Sequence, residues 1–425
     1  MHAFFSKIAK IQTFIIPVSV LALFKFMACS GDEPTSVGGL AAPANLVATP
    51  VSSMQIELTW NDNATDEKGY RVERRVATVV DKVKEIGGNS IRYRDVMLNP
   101  NTEYTYRVRA FRDMQASNSS NTAAATTFSN DGPWFELTSE TEKDLHAVAY
   151  VDEEIATVVG ETGSIRRTKD LGESWTGQGS GTANKFHDVF FLDVNSGTAV
   201  SSVFPSGTAV IRRTLNGGLV WSDPPPTSLT EDLWAVTFAD EDTGMIVGAS
   251  GTVLRTTNNG LNWAAQESEI TSDLFAVHLI SPDTGVAVGS SGMIIKTIDG
   301  GNDWLVLASG TMEDLYGVCF TAADTGTVVG SNGLILRTTD GGANWISQNS
   351  GVSNDLFEIH FTSQDTAYAV GSSGVILKTT DGGANWKPLY SNTSNTLYDI
   401  WFLDSEHGMI SGEYGTVLWT DSGGE

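Results

Sequence analysis

Asp188, Glu358 and Asp399 each stand third in a short apolar run, in runs that begin at Phe186, Leu356 and Leu397. Two opposed acids in one pocket are what glycoside hydrolysis requires, one to protonate the leaving oxygen and one to attack or to activate water. Two places further along the same kind of run come His278, Cys319 and His360, in successive copies. Imidazole and thiolate at one height on adjacent strands suit a soft metal. The remaining copies carry Ala149, Phe190, Thr237 and Trp401 at that height, and neighbouring strands diverge, so packing between sheets is the expectation adopted, with no metal and no cofactor. The three acids are read in the same way, as the polar lining of a wet channel and not as catalytic groups. A more regular set, Asp144, Asp232, Asp273, Asp314 and Asp355, immediately precedes the run, with Lys185 and Thr396 as exceptions. These carboxylates either concentrate negative potential at a mouth, where a cation or basic peptide would be drawn, or cap the turn into the strand.

The elements that would position these residues are repeats. The pattern Leu-x-x-Val-x-Phe, a D-T-G turn, A-V-G, S-x-G and I-L-x-T-x-D-G-G-x-x-W begins at Leu145, Phe186, Leu233, Leu274, Leu315, Leu356 and Leu397, at intervals of 41, 47, 41, 41, 41 and 41. Each copy holds four apolar runs between turn residues, one four-stranded sheet, and seven such copies predict a ring of blades. The last copy ends at TVLWTDSGGE, before the tryptophan that should close its fourth strand. Trp134 precedes Leu145 by eleven residues, as Trp345 precedes Leu356 and Trp386 precedes Leu397. Residues 133–140 are therefore expected to complete the seventh blade, which leaves no exposed sheet edge.

TTDGGANW occurs at 338–345 and again at 379–386. Gly-Gly supplies positive φ for a tight turn, the aspartate accepts from turn amides, and the tryptophan fills the gap between sheets. Asn216 and Asn258 replace the aspartate without disturbing the register. A turn that works without its carboxylate is a fastener and not an acid–base site.

The repeat breaks in blade two. Its middle hairpin grows to VSSVFPSGTAV, and SDPPPTSLTEDLW follows where other copies have a polar loop. Phe204, Pro205, Pro224, Pro225, Pro226 and Trp234 are expected on one rim, a stiff apolar patch flanked by acids that suits a binding partner.

The 425-residue chain has 26 basic and 51 acidic side chains, a net −25. Such a surface repels phosphate backbones, which argues against nucleic-acid partners. Two cysteines, Cys29 and Cys319, imply no disulfide framework. MHAFFSKIAK is basic, the next fourteen residues, IQTFIIPVSVLALF, are uncharged, and FMAC brings Ala28 directly before Cys29. The pattern resembles a bacterial lipoprotein signal, which implies a signal peptide over 1–28, lipidation at Cys29, membrane attachment through that lipid and a flexible tether over 29–40.

Residues 41–129 carry the alternating runs QIELTW, YRVERRV, SIRYRDV and YTYRVRAF, with Trp60 closing the first and LNPNTEY leading into the last. This resembles the fibronectin type III domain, which implies a sandwich with Trp60 at its centre and Tyr104 making the corner contact. No Arg-Gly-Asp stretch is present, and Arg71, Arg74, Arg75, Arg107 and Arg109 are read as a solvated face. The default role is a spacer.

The order of motifs over 131–425 resembles the Asp-box (BNR) repeat, and more closely the propellers of photosystem II stability/assembly factor-like proteins. The resemblance implies an all-β chain whose seven-bladed propeller scaffolds without catalysis. The arginine triad and the tyrosine–glutamate pair implied by the sialidase members have no match, since Arg166, Arg167, Arg212, Arg213, Arg255 and Arg337 all fall in one strand register spread around the ring. The expectation is an exported, lipid-anchored binding protein of the cell envelope with a protein or glycan partner. The alternatives are a glycan-active enzyme or lectin of the Asp-box type, and a photosystem assembly factor-like role.

Overall fold

The computed structural model describes residues 40–424, apart from 51–55, 78, 96–97, 100, 128–133 and 227–228. Cys29 and the signal and tether segments lie outside them. The described chain forms two compact units, which part between Asp131 and Gly132.

The first unit is a sandwich of two antiparallel sheets. One sheet orders Ala44–Pro50, Ile56–Asn61 and Arg92–Asp95. The other joins Val79–Gly87, Gly69–Val76, Glu103–Arg112, Gln115–Ala116 and Ala123–Thr126. Alternation places Tyr70, Val72, Tyr104, Tyr106 and Val108 inward against Trp60, Ile56 and Leu58. The Tyr104 hydroxyl accepts the Asn99 N–H at 2.8 Å, the corner contact expected. Arg71 lies against Glu85, and Arg75 and Arg107 against Glu73, on the outer face, whereas Arg74 departs from the solvated face expected and pairs with the buried Asp95 of the other sheet. Arginines already matched in this way are not primed for an anionic ligand.

The second unit is a ring of seven sheets. The inner strands are Leu145–Tyr150, Phe186–Phe191, Leu233–Phe238, Leu274–Leu279, Leu315–Phe320, Leu356–Phe361 and Leu397–Phe402. In every blade a register shift near the second residue makes two residues share one place in the ladder. Residues one, four and six then face the preceding blade, while two, three and five face the channel and the following blade. The core clusters follow this rule, with Ala147 and Ala149 of blade one packing on Phe186, Val189 and Phe191 of blade two.

The ring closes as the spacing of Trp134 predicts. Phe135–Thr138 pairs with Thr416–Thr420 as the fourth strand of the last blade, and Trp134 packs edge-on to Phe402 at 5.9 Å. Blade two departs from expectation, because only three of its strands form a ladder, followed by two isolated bridges, Arg213–Ser222 and Ala209–Leu229. Pro224, Pro225 and Pro226 lie between those bridges and have no N–H to give a ladder.

The repeated turn is built as a hydrogen-bonded knot. In TTDGGANW at 338–345, Thr338 Oγ1 accepts the Gly342 N–H at 2.9 Å, and Asp340 Oδ1 accepts the Asn344 N–H at 2.9 Å. Both glycines have positive φ, 73° and 90°. Asn216 and Asn258 make the same bond through their amide oxygens, to the N–H groups of Val220 and Asn262. Only an acceptor is required. Asp381 is held down at about 2 by the Asn385 side chain and amide and by Thr379, so it is ionised throughout the working range and unsuited to proton transfer. Asp381→Asn is therefore expected to unfold at the same denaturant concentration as the parent, while Asp381→Ala unfolds at a lower one because it strands the turn amide. Denaturant melts of the two variants check this, and equal losses would contradict it.

Candidate functional site: the collar and acid chamber of the channel

The second residue of every inner strand is aromatic or imidazole: His146, His187, Trp234, Phe275, Tyr316, Phe357 and Tyr398. Their rings meet in an unbroken circle, with successive centroids 6.1, 4.1, 5.7, 5.6, 5.4 and 5.9 Å apart and 4.7 Å from Tyr398 back to His146. All seven side chains are half-buried. Three polar tips are tied to the 3-10 turn of their own blade, His146 to Glu161, Tyr316 to Ser331 and Tyr398 to Glu413, while His187 Nε2 and Trp234 Nε1 have no hydrogen-bond partner among the described residues. The collar is thus fixed in place at the end of the channel where the inner strands begin. Sequence reasoning passed over it by writing the position as variable, although all seven copies share one chemistry there.

One residue deeper lie Asp188, Glu358 and Asp399. They stand at one level of the channel wall, Glu358 and Asp399 on the adjoining inner strands of blades six and seven and Asp188 on that of blade two, and the charge of Asp188 bears on Asp399 while both bear on Glu358. Burial is the larger cause, and it raises Asp188 to about 6 and Asp399 to about 7, with Glu358 well above its ordinary value. Each aspartate bridges two strands. Asp188 accepts the N–H groups of Val189 and, across the gap, Val236, at 2.6 and 2.7 Å. Asp399 accepts those of Ile400 and, on blade one, Val148, both at 2.7 Å. Glu358 accepts the Ile359 N–H through Oε1 at 2.9 Å.

The remaining blades place Ala147, Ala235, Ala276 and Gly317 at this depth, which adds little bulk. Gly317 also lets two blades approach, since a Cβ there would stand 3.0 Å from the Phe357 carbonyl oxygen. Below, Trp401 meets Phe190 edge-on at 5.8 Å and His360 at 5.2 Å, which narrows the channel beneath the acids.

His278, Cys319 and His360 do not share a ligand geometry. Each lies against the backbone of the next blade, beside Phe320, Phe361 and Phe402, and Nε2 of His278 is buried with no hydrogen-bond partner among the described residues. Burial lowers both histidines to about 4 and raises the Cys319 thiol to about 12, the reverse of what a metal-ready thiolate needs.

The five aspartates ahead of the strands are clamps. Asp273, Asp314, Asp355 and Asp144 accept the N–H of the left-handed residue in the preceding blade's turn, Ser250, Ser291, Asn332 and Tyr414, at 2.8–2.9 Å. Asp232 accepts the Val203 N–H at 2.6 Å.

The six rim residues serve different places. Phe204 is 78% exposed on a hairpin that this Asp232 bond holds beside blade three. Pro224 is buried, and the Pro225 carbonyl accepts the Trp263 N–H at 3.0 Å, so the proline run belongs to the joint between blades two and three. Trp234 is a collar member, tilted against His187 and edge-on to Phe275, with no ring contact to Phe204 among the described residues.

A fibronectin-type sandwich followed by a seven-bladed propeller with an aromatic collar defines the class of protein. The fibronectin type III domain model matches residues 41–126. The model described as Photosynthesis system II assembly factor YCF48 matches residues 225–312, 256–346 and 302–393, within the propeller. No curated protein matches the chain. Among solved structures, YCF48 bound to D1 peptide aligns at a TM-score of 0.59 with 21% identity, over 69% of this chain and 98% of that one. YCF48 from Cyanidioschyzon merolae aligns at 0.57 with 20% identity, over 68% and 98%. The GH74 xyloglucanase from Xanthomonas campestris aligns at 0.55 with 12% identity, over 69% of this chain and 54% of that one. At such identities these likenesses show the fold alone.

Proposed function

We propose that the chain is an exported, lipid-anchored binding protein in which the fibronectin unit is a spacer and the propeller holds a segment of polypeptide at the collar end of its channel without catalysis. The observation that carries this reading is the closed aromatic collar. It is half-buried, and three of its polar tips, on His146, Tyr316 and Tyr398, are held by hydrogen bonds. Aromatic rings of this kind give contact area at low entropic cost. Exposed Phe204 on the neighbouring hairpin adds a flanking apolar contact. The D1 peptide named with the similar YCF48 structure supports a polypeptide ligand over other classes.

A glycan-active reading draws on the three acids and on the xyloglucanase likeness. Against it, both oxygens of Asp188 and of Asp399 are engaged by backbone amides, so Glu358 alone of the three has an oxygen without a hydrogen bond among the described residues, and the pair of acids that glycoside hydrolysis requires is not formed. The address at the membrane rests on the sequence pattern around Cys29.

Selection of a random peptide library on the full chain tests the proposal. Enriched peptides should bind at least about tenfold more weakly to Trp234→Ala, in line with removal of a central aromatic anchor. Peptides that bind the variant equally, or a panel of oligosaccharides that binds while no peptide does, would overturn it.

A further inference from the structure

The outermost strand of a blade presents a free edge, and a protein that leaves such an edge bare invites another chain to pair with it. Six of the seven blades blunt theirs. Blade one has the two residues Thr176–Gly177 there, too short a ladder to extend. Blade two has its proline run in place of the strand. In blade three the Gln266 side-chain amide donates to the carbonyls of Ala264 and Ala265, and in blade five Gln348 donates to that of Ile346. Blade six carries Lys387 and Pro388, and blade seven the exposed Glu136.

Blade four has none of these devices. Its outer strand, Leu305–Ala308, reads LVLA, with Leu305 64% and Val306 54% exposed. In blade one the Gln178 N–H, at the place of Leu307, donates to the Ile165 carbonyl of the third strand at 2.9 Å. Alternation along an antiparallel strand then directs the backbone groups of Leu305 and Leu307 to the third strand. Those of Val306 and Ala308 turn away from it, where the ladder ends. In blade six Pro388 stands at the place of Val306, so that outward N–H is absent there. An open groove of about 410 Å³ lies beside the end of the blade-four strand, lined by Met293, Val306, Leu307, Ala308 and Met312 among others. It has room for side chains of a passing segment and for no larger body.

We infer that the outer edge of blade four pairs with an extended segment of a partner polypeptide, which adds a fifth strand through Val306 and Ala308 and seats an apolar side chain in the groove. Residues 304–312 carry no charge, and Asp303 and Glu313 stand at either end. The fitting segment is therefore apolar at alternate positions and flanked by basic residues. A second copy of the chain fits less well. It would bring two net charges of −25 together along a seam four residues long, short of the roughly 1,200 Å² of a stable interface. This edge is separate from the collar and does not depend on what the collar binds.

The test uses the full chain and fluorescence anisotropy with labelled heptapeptides of the form Lys-X-Thr-X-Thr-X-Lys, blocked at both ends, with valine, leucine or phenylalanine as X. At least one should bind, and N-methylation of one of its two sets of alternate amides should weaken it at least about tenfold by removing the bonds to the edge. The double variant Leu305→Lys, Val306→Pro gives blade four the guard of blade six, in a register that already accommodates it. It should melt with the parent and bind the peptide at least about tenfold more weakly. Val306→Lys, which keeps the N–H and sets like charge against the probe, should weaken binding as well. Trp234→Ala should keep the parent's affinity. Equal binding to parent and double variant would overturn the inference, as would no binding by any member of the panel or indifference to N-methylation. Loss of binding in Trp234→Ala would move these peptides to the collar and overturn it too. Dimerisation of the parent in sedimentation, absent in the double variant and with no peptide bound, would make a second copy the occupant and overturn the partner named here.

Discussion

Trp134→Ala is expected to destabilise the propeller by about 3–5 kcal/mol, the usual cost of emptying a buried tryptophan site, and to lower its melting temperature by roughly 6–12 °C for a unit of this size. The side chain is 3% exposed and packs with Phe402, Leu418, Tyr368 and Leu389. Every other inter-blade tryptophan joins segments already close along the chain. Trp134 joins the start of the ring to its end, together with the Phe135–Thr138 ladder, Ser139 Oγ donating to the Gly415 carbonyl at 2.6 Å, and Tyr414 N–H donating to Asp144 at 2.9 Å. Its loss should therefore speed unfolding and open blades one and seven first, which hydrogen exchange would show as early labelling of 145–168 and 397–420. Trp345→Ala supplies the comparison, since it leaves the chain ends clasped. Matching exchange patterns in the two variants would mean that closure contributes nothing beyond local packing.

That clasp was legible in the sequence because local chemistry repeats at each joint. A tryptophan eleven residues ahead of an inner strand means the same thing at 134 as at 345 and 386. The fastening turns were legible for a related reason, since Asn216 and Asn258 showed that an acceptor was needed and a charge was not. The clamp role of Asp273 or Asp314 was open between two readings, because the accepted amide lies 23 residues upstream in a neighbouring blade. Which turn reaches which carboxylate depends on the rotation between sheets, and no spacing encodes that directly.

The proline run of blade two was visible as residues but not as a missing strand, because whether a ladder ends there is decided by the partner Ile211–Thr214 strand as well. The collar illustrates the opposite case. Its signal was present in all seven copies, yet aromatic types at a strand position read equally well as core. Only the register shift at that residue turns the rings from the interface toward the axis.

The pH response of the fold should reveal the acid chamber without any ligand. Folding raises Asp188 to about 6 and Asp399 to about 7, and Glu358 also moves upward. Unfolded carboxyls ionise near 4, so between about pH 4 and 7 the folded chain holds more protons than the unfolded one. The contribution of these groups is fully present below pH 4 and is lost as pH rises through 6 and 7. Water reaching the channel softens the cost of ionising them, which leaves a loss on the order of 3 kcal/mol between pH 5 and pH 8. Asp381 works the other way, because its lowered value makes its contribution present above pH 4 and lost toward pH 2. The propeller should consequently be most stable at mildly acidic pH. Asp399→Asn removes one of the groups and relieves Glu358, and its melting temperature should vary less between pH 5 and pH 8 than that of the parent. Should the parent gain stability over that interval, or the variant show the same slope, the three carboxyls would have to be apart and solvated, and the chamber drawn here would not exist.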